Sequence, residues 1–293
     1  MTAAPVLVAR SARAGSQPVG VWASLLRHPS GRAGLAIAAL LALVALVGPW
    51  LTADPNQTSY DTQLAPPSSE HLLGTDQAGR DQLARVVAGA QTTLGAALAV
   101  FVLVGVIGVV VGMVAALAGG WVDTVISRIV DLLLGLPSLV LALAIVGTLG
   151  PSLRNVIIAL TVSGWAYLAR LARSHALGAH DRPDVVAARM AGVGRVRIAV
   201  GHVLPGVTVQ VAIAATMELS AIILGLSALS FLGLGVQPPT AEWGQMLAES
   251  RFALTQMPTL ALGPGLAVML AVGAAVLISE ALRDVVDPAW RRG

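Results

Sequence analysis

The chain has 293 residues, 56% of them hydrophobic and only 11% charged, with a mean hydropathy of +0.81. A soluble domain carries about 25% charged residues, so this composition leaves too little polar surface for a water-soluble globule. All 18 basic residues are Arg, and the absence of Lys and Cys removes a P-loop lysine, Schiff-base chemistry, disulfides and thiol nucleophiles.

Residues 1–20, rich in Ala, Pro, Ser and Gly, read as a disordered part of an N-terminal tail spanning 1–30. The first apolar run, Gly34 to Leu51, is uncharged and as a helix covers about 27 Å, near the ~30 Å hydrocarbon thickness. It starts too late and runs too long for a signal-peptide core, so it predicts an uncleaved first span over 31–52. A polar loop over 53–92 follows, containing Asp54, Asp61, Glu70, Asp76 and Asp81. The uncharged stretch Val86 to Val122 holds a second span, Leu94 to Leu117. Ile129 to Leu149 makes a third with Asp131 near one end, and Val156 to Leu171 a fourth with Arg170 and Arg173 at its exit. An Arg-bearing loop, 175–205, separates it from a fifth span within Val203 to Ala241, whose one acid is Glu218. Leu260 to Ile278 is the sixth span, so five spans form a core over 93–283 before a tail at 284–293.

The arginines orient these spans. With the N-terminus inside, 14 of the 18 fall in cytoplasmic segments, and only Arg80, Arg85, Arg154 and Arg251 fall outside. The positive-inside rule favours that arrangement and places both termini in the cytoplasm. It also accounts for the isoelectric point near 10.5 without nucleic acid, since the net charge is only +3. No metalloprotease H-E-x-x-H or hydrolase G-x-S-x-G pattern occurs, and His28, His71, His175, His180 and His202 are scattered. The chain shows no catalytic constellation and no metal-ligand cluster of its own.

Four ordered blocks carry a family resemblance. Asp184-Val-Val-Ala-Ala-Arg-Met-Ala-Gly192 separates Ala187-Ala188 from Gly192 by three residues, and nine more residues lead to His202-Val-Leu-Pro205. This spacing resembles the coupling loop of bacterial ATP-binding-cassette importers. His71-Leu-Leu-Gly-Thr-Asp-Gln-Ala-Gly-Arg-Asp81 is similar to the G-T-D-x-x-G-R-D segment of dipeptide and oligopeptide permeases. Leu229-Ser-Phe-Leu-Gly-Leu-Gly-Val-Gln-Pro-Pro239, with Trp243-Gly244, and Leu282-Arg-Asp-Val-Val-Asp-Pro288 resemble later blocks of the same subfamily. Asp131-Leu-Leu-Leu-Gly-Leu-Pro137 also fits its third-span region. The pattern looks like the C-type subunit, and nickel importers share nearly the same blocks. Gln91 stands where Arg is expected, and Val186 where the general loop motif has Glu.

The resemblance implies an all-α membrane protein with six transmembrane helices, the type I importer permease fold, and a coupling helix between helices four and five. It implies a homologous B-type permease, two cytoplasmic ATPase subunits or one fused ATPase, and an extracytoplasmic substrate-binding protein as partners. ATP and Mg would be bound by the ATPases and no cofactor by this chain, which would sit in the lipid of a bacterial cytoplasmic membrane. Asp184, Ala187, Ala188, Arg189, Gly192, His202 and Pro205 would make the ATPase contact.

Side-chain chemistry fits these expectations. A short helix starting near Asp181 suits the acid at its N-terminal end, tolerates Pro183 in its first turn, and sits close to a groove through Ala187 and Ala188. A solvated basic loop explains the charge but not the spacing. Outside, Asp76, Arg80 and Asp81 either pair with one another or meet the binding protein. Gly233, Gly235 and Pro238-Pro239 predict a re-entrant turn beside the path, putting Gln237 and Trp243 near it. Glu218 either meets a cationic group of the solute or is satisfied by Thr216, Ser220 or a partner helix, because a mid-membrane carboxylate is costly. Rival classes are a secondary transporter, which predicts inverted repeats and mid-membrane ionisable pairs, and a membrane anchor, which needs no coupling spacing.

Overall fold

The computed structural model describes residues 25–286; the tail start at 1–20 and the Asp287-Pro288 end of the last block lie outside them. Among the described residues the regular elements are helices, with one isolated bridge between Thr75 and Asp81. Helix α1 (Pro29–Leu51) opens on a proline, whose missing N–H would be unpaired at a helix start anyway. Helix α2 (Gln82–Ala118) has 37 residues, about 55 Å at 1.5 Å per residue. It begins at Gln82, well before the expected Leu94 and inside the loop expected to reach 92. The apolar run marks only the part suited to lipid, whereas the helix start is set by Asp81, whose carboxylate accepts the Ala84 N–H at 2.7 Å.

The third span is bent. Helices α3 (Gly120–Leu134) and α4 (Ser138–Leu149) meet at 92° across Gly135-Leu136-Pro137. Pro137 has no N–H for a continuing helix and disfavours the helical conformation at Leu136. Helix α5 (Leu153–Gly178), capped by Ser152, leads to the short α6 (Pro183–Met190) and the single turn α7 (Arg195–Ile198). A π-turn over Ala199–Val203 joins α7 to α8 (Leu204–Phe231); α9 (Trp243–Ser250) and α10 (Thr259–Val286) complete the chain. Five helices are long and apolar enough to cross a membrane, and the bent α3–α4 pair makes a sixth if it counts as one span.

The centre of the bundle is the contact between α2 and α5. Val104 lies by Gly164, Gly108 by Leu168, and Gly112 by Ala169 and Ala172, so the two helices run parallel. A Cβ at Gly112 would stand 2.5 Å from the Ala169 carbonyl oxygen, which only glycine permits. Small residues four apart let helix backbones approach in an environment where hydrophobicity does not drive association. Helix α8 packs on α2, α5 and α10, and α1 leans on α10 and α2. Large apolar side chains such as Leu46 and Trp50 of α1 and Leu139 of α4 face outward, as lipid or another apolar surface requires.

Residues 52–81 and 232–258 meet at one end of this bundle, here the cap end. Arg80, Arg85 and Arg251 lie there, and Arg154 is in the first turn of α5. The opposite, arginine-rich end holds the loop between α5 and α8.

Candidate functional site

At the arginine-rich end, α6 starts at Pro183, two residues after Asp181, which sits in the preceding 3-10 turn. Pro183 occupies the first helical position, and Asp184 lies in the first turn, where a negative charge is favoured. Arg182 grips Asp184 with two hydrogen bonds, Nε to Oδ1 at 3.1 Å and Nη2 to Oδ2 at 2.8 Å. Desolvation acts to raise the Asp184 pKa, but the hydrogen bonds and charge of Arg182 outweigh it and hold the carboxyl below the usual carboxylate range. His202 Nδ1 stands 3.8 Å from the same carboxylate, so two ends of the loop meet at Asp184. Arg189 reaches back to His180, 3.2 Å from Nδ1 and 3.4 Å from the carbonyl oxygen.

The helix ends in a Schellman turn. Val193 N–H donates to Ala188 C=O at 3.1 Å and Gly192 N–H to Arg189 C=O at 3.0 Å, with Gly192 at φ 74°. Gly192 is therefore required by the backbone of the loop itself. Pro205 lies in the first turn of α8, directly after the π-turn.

The two alanines part company here. Val185 is buried and Ala188 packs against the core, one helical turn apart on the inner face. Val186, Ala187 and Met190 point away from the bundle, Met190 with 84% of its surface exposed. The outward face is thus apolar, while Arg182 folds onto Asp184 and Arg189 onto His180. Among the described residues neither Arg195 nor Arg197 has an acidic partner.

At the cap end, four charges interlock. The Asp76 carboxylate accepts N–H groups of Ala78 at 2.8 Å and Arg80 at 3.0 Å, and the Arg80 Nε at 2.7 Å. Arg85, fully buried, donates to Glu249 Oε2 at 2.8 Å and to the Pro239 carbonyl at 3.3 Å, with its Nε 3.3 Å from Asp76. Arg80 Nη2 closes the ring at 3.4 Å from Glu249. Two acids and two bases balance, as a buried set must. A cavity of about 190 Å³ lies beside them, lined by Tyr60, Gln77 and Leu260 among others. Asp81 stands apart: it caps α2 and meets His71 Nδ1 at 2.8 Å.

Glu242, Glu249 and Thr93 were invisible to motif reading. Glu242 is wholly buried, accepting from Gly244 and Gln245 N–H to cap α9 and from the Thr93 hydroxyl at 3.1 Å. Glutamate is a poor N-cap by propensity, and Thr93 is 149 residues away. Trp243, expected near a path, is instead enclosed: its indole N–H donates to Val86 C=O at 2.9 Å and its ring rests on Gly89. Gln237 is exposed and turns its amide onto the Gly233 and Gly235 carbonyls. Glu218 is half-buried in α8 and has no hydrogen bond or ion pair among the described residues. The expected local partners are engaged elsewhere, since Thr216 and Ser220 donate to Ile213 and Met217 carbonyls. Among the described residues no group of three His, Cys, Asp or Glu is placed to hold a metal.

An apolar bundle of long helices, with most of its charge toward its two ends and Glu218 midway along α8, defines a multi-pass membrane protein. Residues 108–292 match the family described as the binding-protein-dependent transport system inner membrane component, and residues 16–67 match the N-terminal TM domain of oligopeptide transport permease C. The chain belongs to the former family, the membrane permeases of binding-protein-dependent importers. It is 40% identical over 260 residues to the nickel transport system permease protein NikC of Escherichia coli K12, covering 88% of this chain and 94% of the relative. A putative peptide transport system permease protein of Brucella abortus is 40% identical over 276 residues, covering 94% and 93%. The di/tripeptide transport system permease protein DppC of Pseudomonas aeruginosa is 38% identical over 274 residues, covering 91% and 90%.

Proposed function

We propose that this chain is the C-type permease subunit of an ATP-driven importer that moves di- or oligopeptides into a bacterial cell. The observation that carries the reading is the outward face of α6: Val186, Ala187 and Met190 stand free of the bundle on a loop braced by Asp184 and Gly192. A short helix with an apolar, small-residue face suits a groove on a cytoplasmic ATPase. The arginine bias supports a cytoplasmic position for this end and for both termini. ATP and Mg belong to two ATPase subunits or one fused ATPase, and a homologous permease and an external binding protein complete the assembly.

In this mechanism the binding protein delivers solute at the cap end, and ATP binding closes the ATPases. That closure moves α6, which is tied through His202 and the π-turn to α8. The pair of permeases switches between inward- and outward-facing packings, a two-state element biased by its partner. Glu218, on α8 and without a partner among the described residues, offers a carboxylate to a cationic group such as a peptide amine. Ala187→Glu tests the docking: membrane insertion and pairing with the sister permease should persist while ATPase subunits and uptake are lost. Retained ATPase and normal uptake would remove the role assigned to α6.

The 40% identity to a nickel permease supports a second substrate reading, a nickel chelate. Titrating the cognate external protein with dipeptides and with nickel chelates decides between them.

A further inference from the structure

A cleft of about 750 Å³ lies between the α5–α8 loop and the ends of α2 and α5. Ala116 and Leu117 of α2 and Leu177 of α5 form an apolar side, and His180, Arg189 and Arg195 a cationic one. Its depth follows from the helices. No charged residue occurs in α2 between Arg85 and its end, so its apolar surface continues to Leu117. Because α2 and α5 run parallel with Gly112 beside Ala172, Leu177 lies level with Leu117. Trp121, just beyond on α3, is 77% exposed, and exposed tryptophans of membrane proteins gather at the headgroup layer.

We propose that this cleft holds an anionic phospholipid, its phosphate between Arg189 and Arg195 and one acyl chain along Leu117 and Leu177. Arg195 has no acidic partner among the described residues, and the Arg189 guanidinium has donors beyond those turned to His180. A free anion would leave the apolar side wet. An ATPase approaching α6 meets Val186, Ala187 and Met190, whereas Val185 and Val193 wall the cleft on the opposite face. The lipid therefore sits behind the docking face, as a wedge under the loop. From the function above this uses only the placement of the loop at a membrane surface.

The test uses the assembled importer in nanodiscs of phosphatidylcholine with a minority of phosphatidylglycerol, and counts retained lipids by native mass spectrometry. The wild-type complex should retain phosphatidylglycerol selectively. Arg189→Gln with Arg195→Gln should lower that selectivity by about fivefold per arginine, and the matching Lys pair should restore most of it. Three results would overturn the proposal: unchanged retention in the Gln pair; displacement of the lipid by inorganic phosphate, which marks an adventitious anion site; or loss of ATPase subunits by the Gln pair in pure phosphatidylcholine, which assigns the arginines to the ATPase. Ala187→Glu separates the two readings, because it should release the ATPase and keep the lipid. If it keeps both, only the docking role fails.

Discussion

Arg85 and Glu249 are 164 residues apart in sequence and 2.8 Å apart in the fold, with the arginine wholly enclosed. This pair joins the start of α2 to the end of α9 and holds the cap closed over the bundle. Asp76 and Arg80 extend it into the loop before α2.

Arg85→Met should destabilise the protein by about 3 kcal/mol, because removing one member of a buried set strands the other charges. The double variant Arg85→Met/Glu249→Met should cost less than the sum of the two single changes. Detergent-unfolding curves of all three give the coupling. Strict additivity would show that the ion pair contributes nothing of its own.

Two glycines seven residues apart on α2 should respond in opposite ways. Gly112→Ala drives a methyl into the Ala169 carbonyl and should cost about 1–3 kcal/mol as overpacking. Gly105 has open space around its Cβ position, so Gly105→Ala should be neutral or stabilise the helix by up to about 1 kcal/mol. Equal effects in an unfolding assay would contradict the close α2–α5 approach.

Gly192→Ala should loosen the loop through backbone strain alone, since nothing lies within 4 Å of its Cβ position but φ is 74°. The left-handed conformation costs a non-glycine residue about 1–2 kcal/mol. Gly194, at φ −63° and also open, should accept alanine without penalty. Tryptic cleavage at Arg189 and Arg195 should accelerate in the first variant only. Acceleration in both, or neither, would show that the turn does not depend on Gly192.

Glu218→Gln should reduce uptake of a cationic solute while insertion, pairing and ATPase association stay normal. Thr216 and Ser220 already donate to their own helix, so no neighbour there depends on the carboxylate. Normal uptake would return Glu218 to a packing role, and failed assembly would place it against the partner permease.

The sequence carried its membrane character and its family openly, because apolar runs and the ordered blocks are local signals. Pro137 sat in view but its 92° consequence did not, since hydropathy is blind to direction. The start of α2 was misplaced because a hydropathy run ends where polar residues begin, whereas a helix begins at its cap, Asp81. Facing was the hardest feature to read. Ala187 and Ala188 look equivalent in the loop motif, yet helical geometry turns one outward and packs the other on the core. Trp243, Glu242 and Thr93 are joined by contacts across about 150 residues, which no window on the sequence spans.

The docking claim is tested most directly by cross-linking from single cysteines, because the chain has none of its own. Met190→Cys and Ala187→Cys, carried on the outward face, should form cross-links to the ATPase in the assembled importer, and Val185→Cys, buried behind them, should form none. Cross-linking confined to Val185→Cys, or absent from all three in a complex that transports normally, would contradict the assignment of α6 as the contact through which ATP drives this permease.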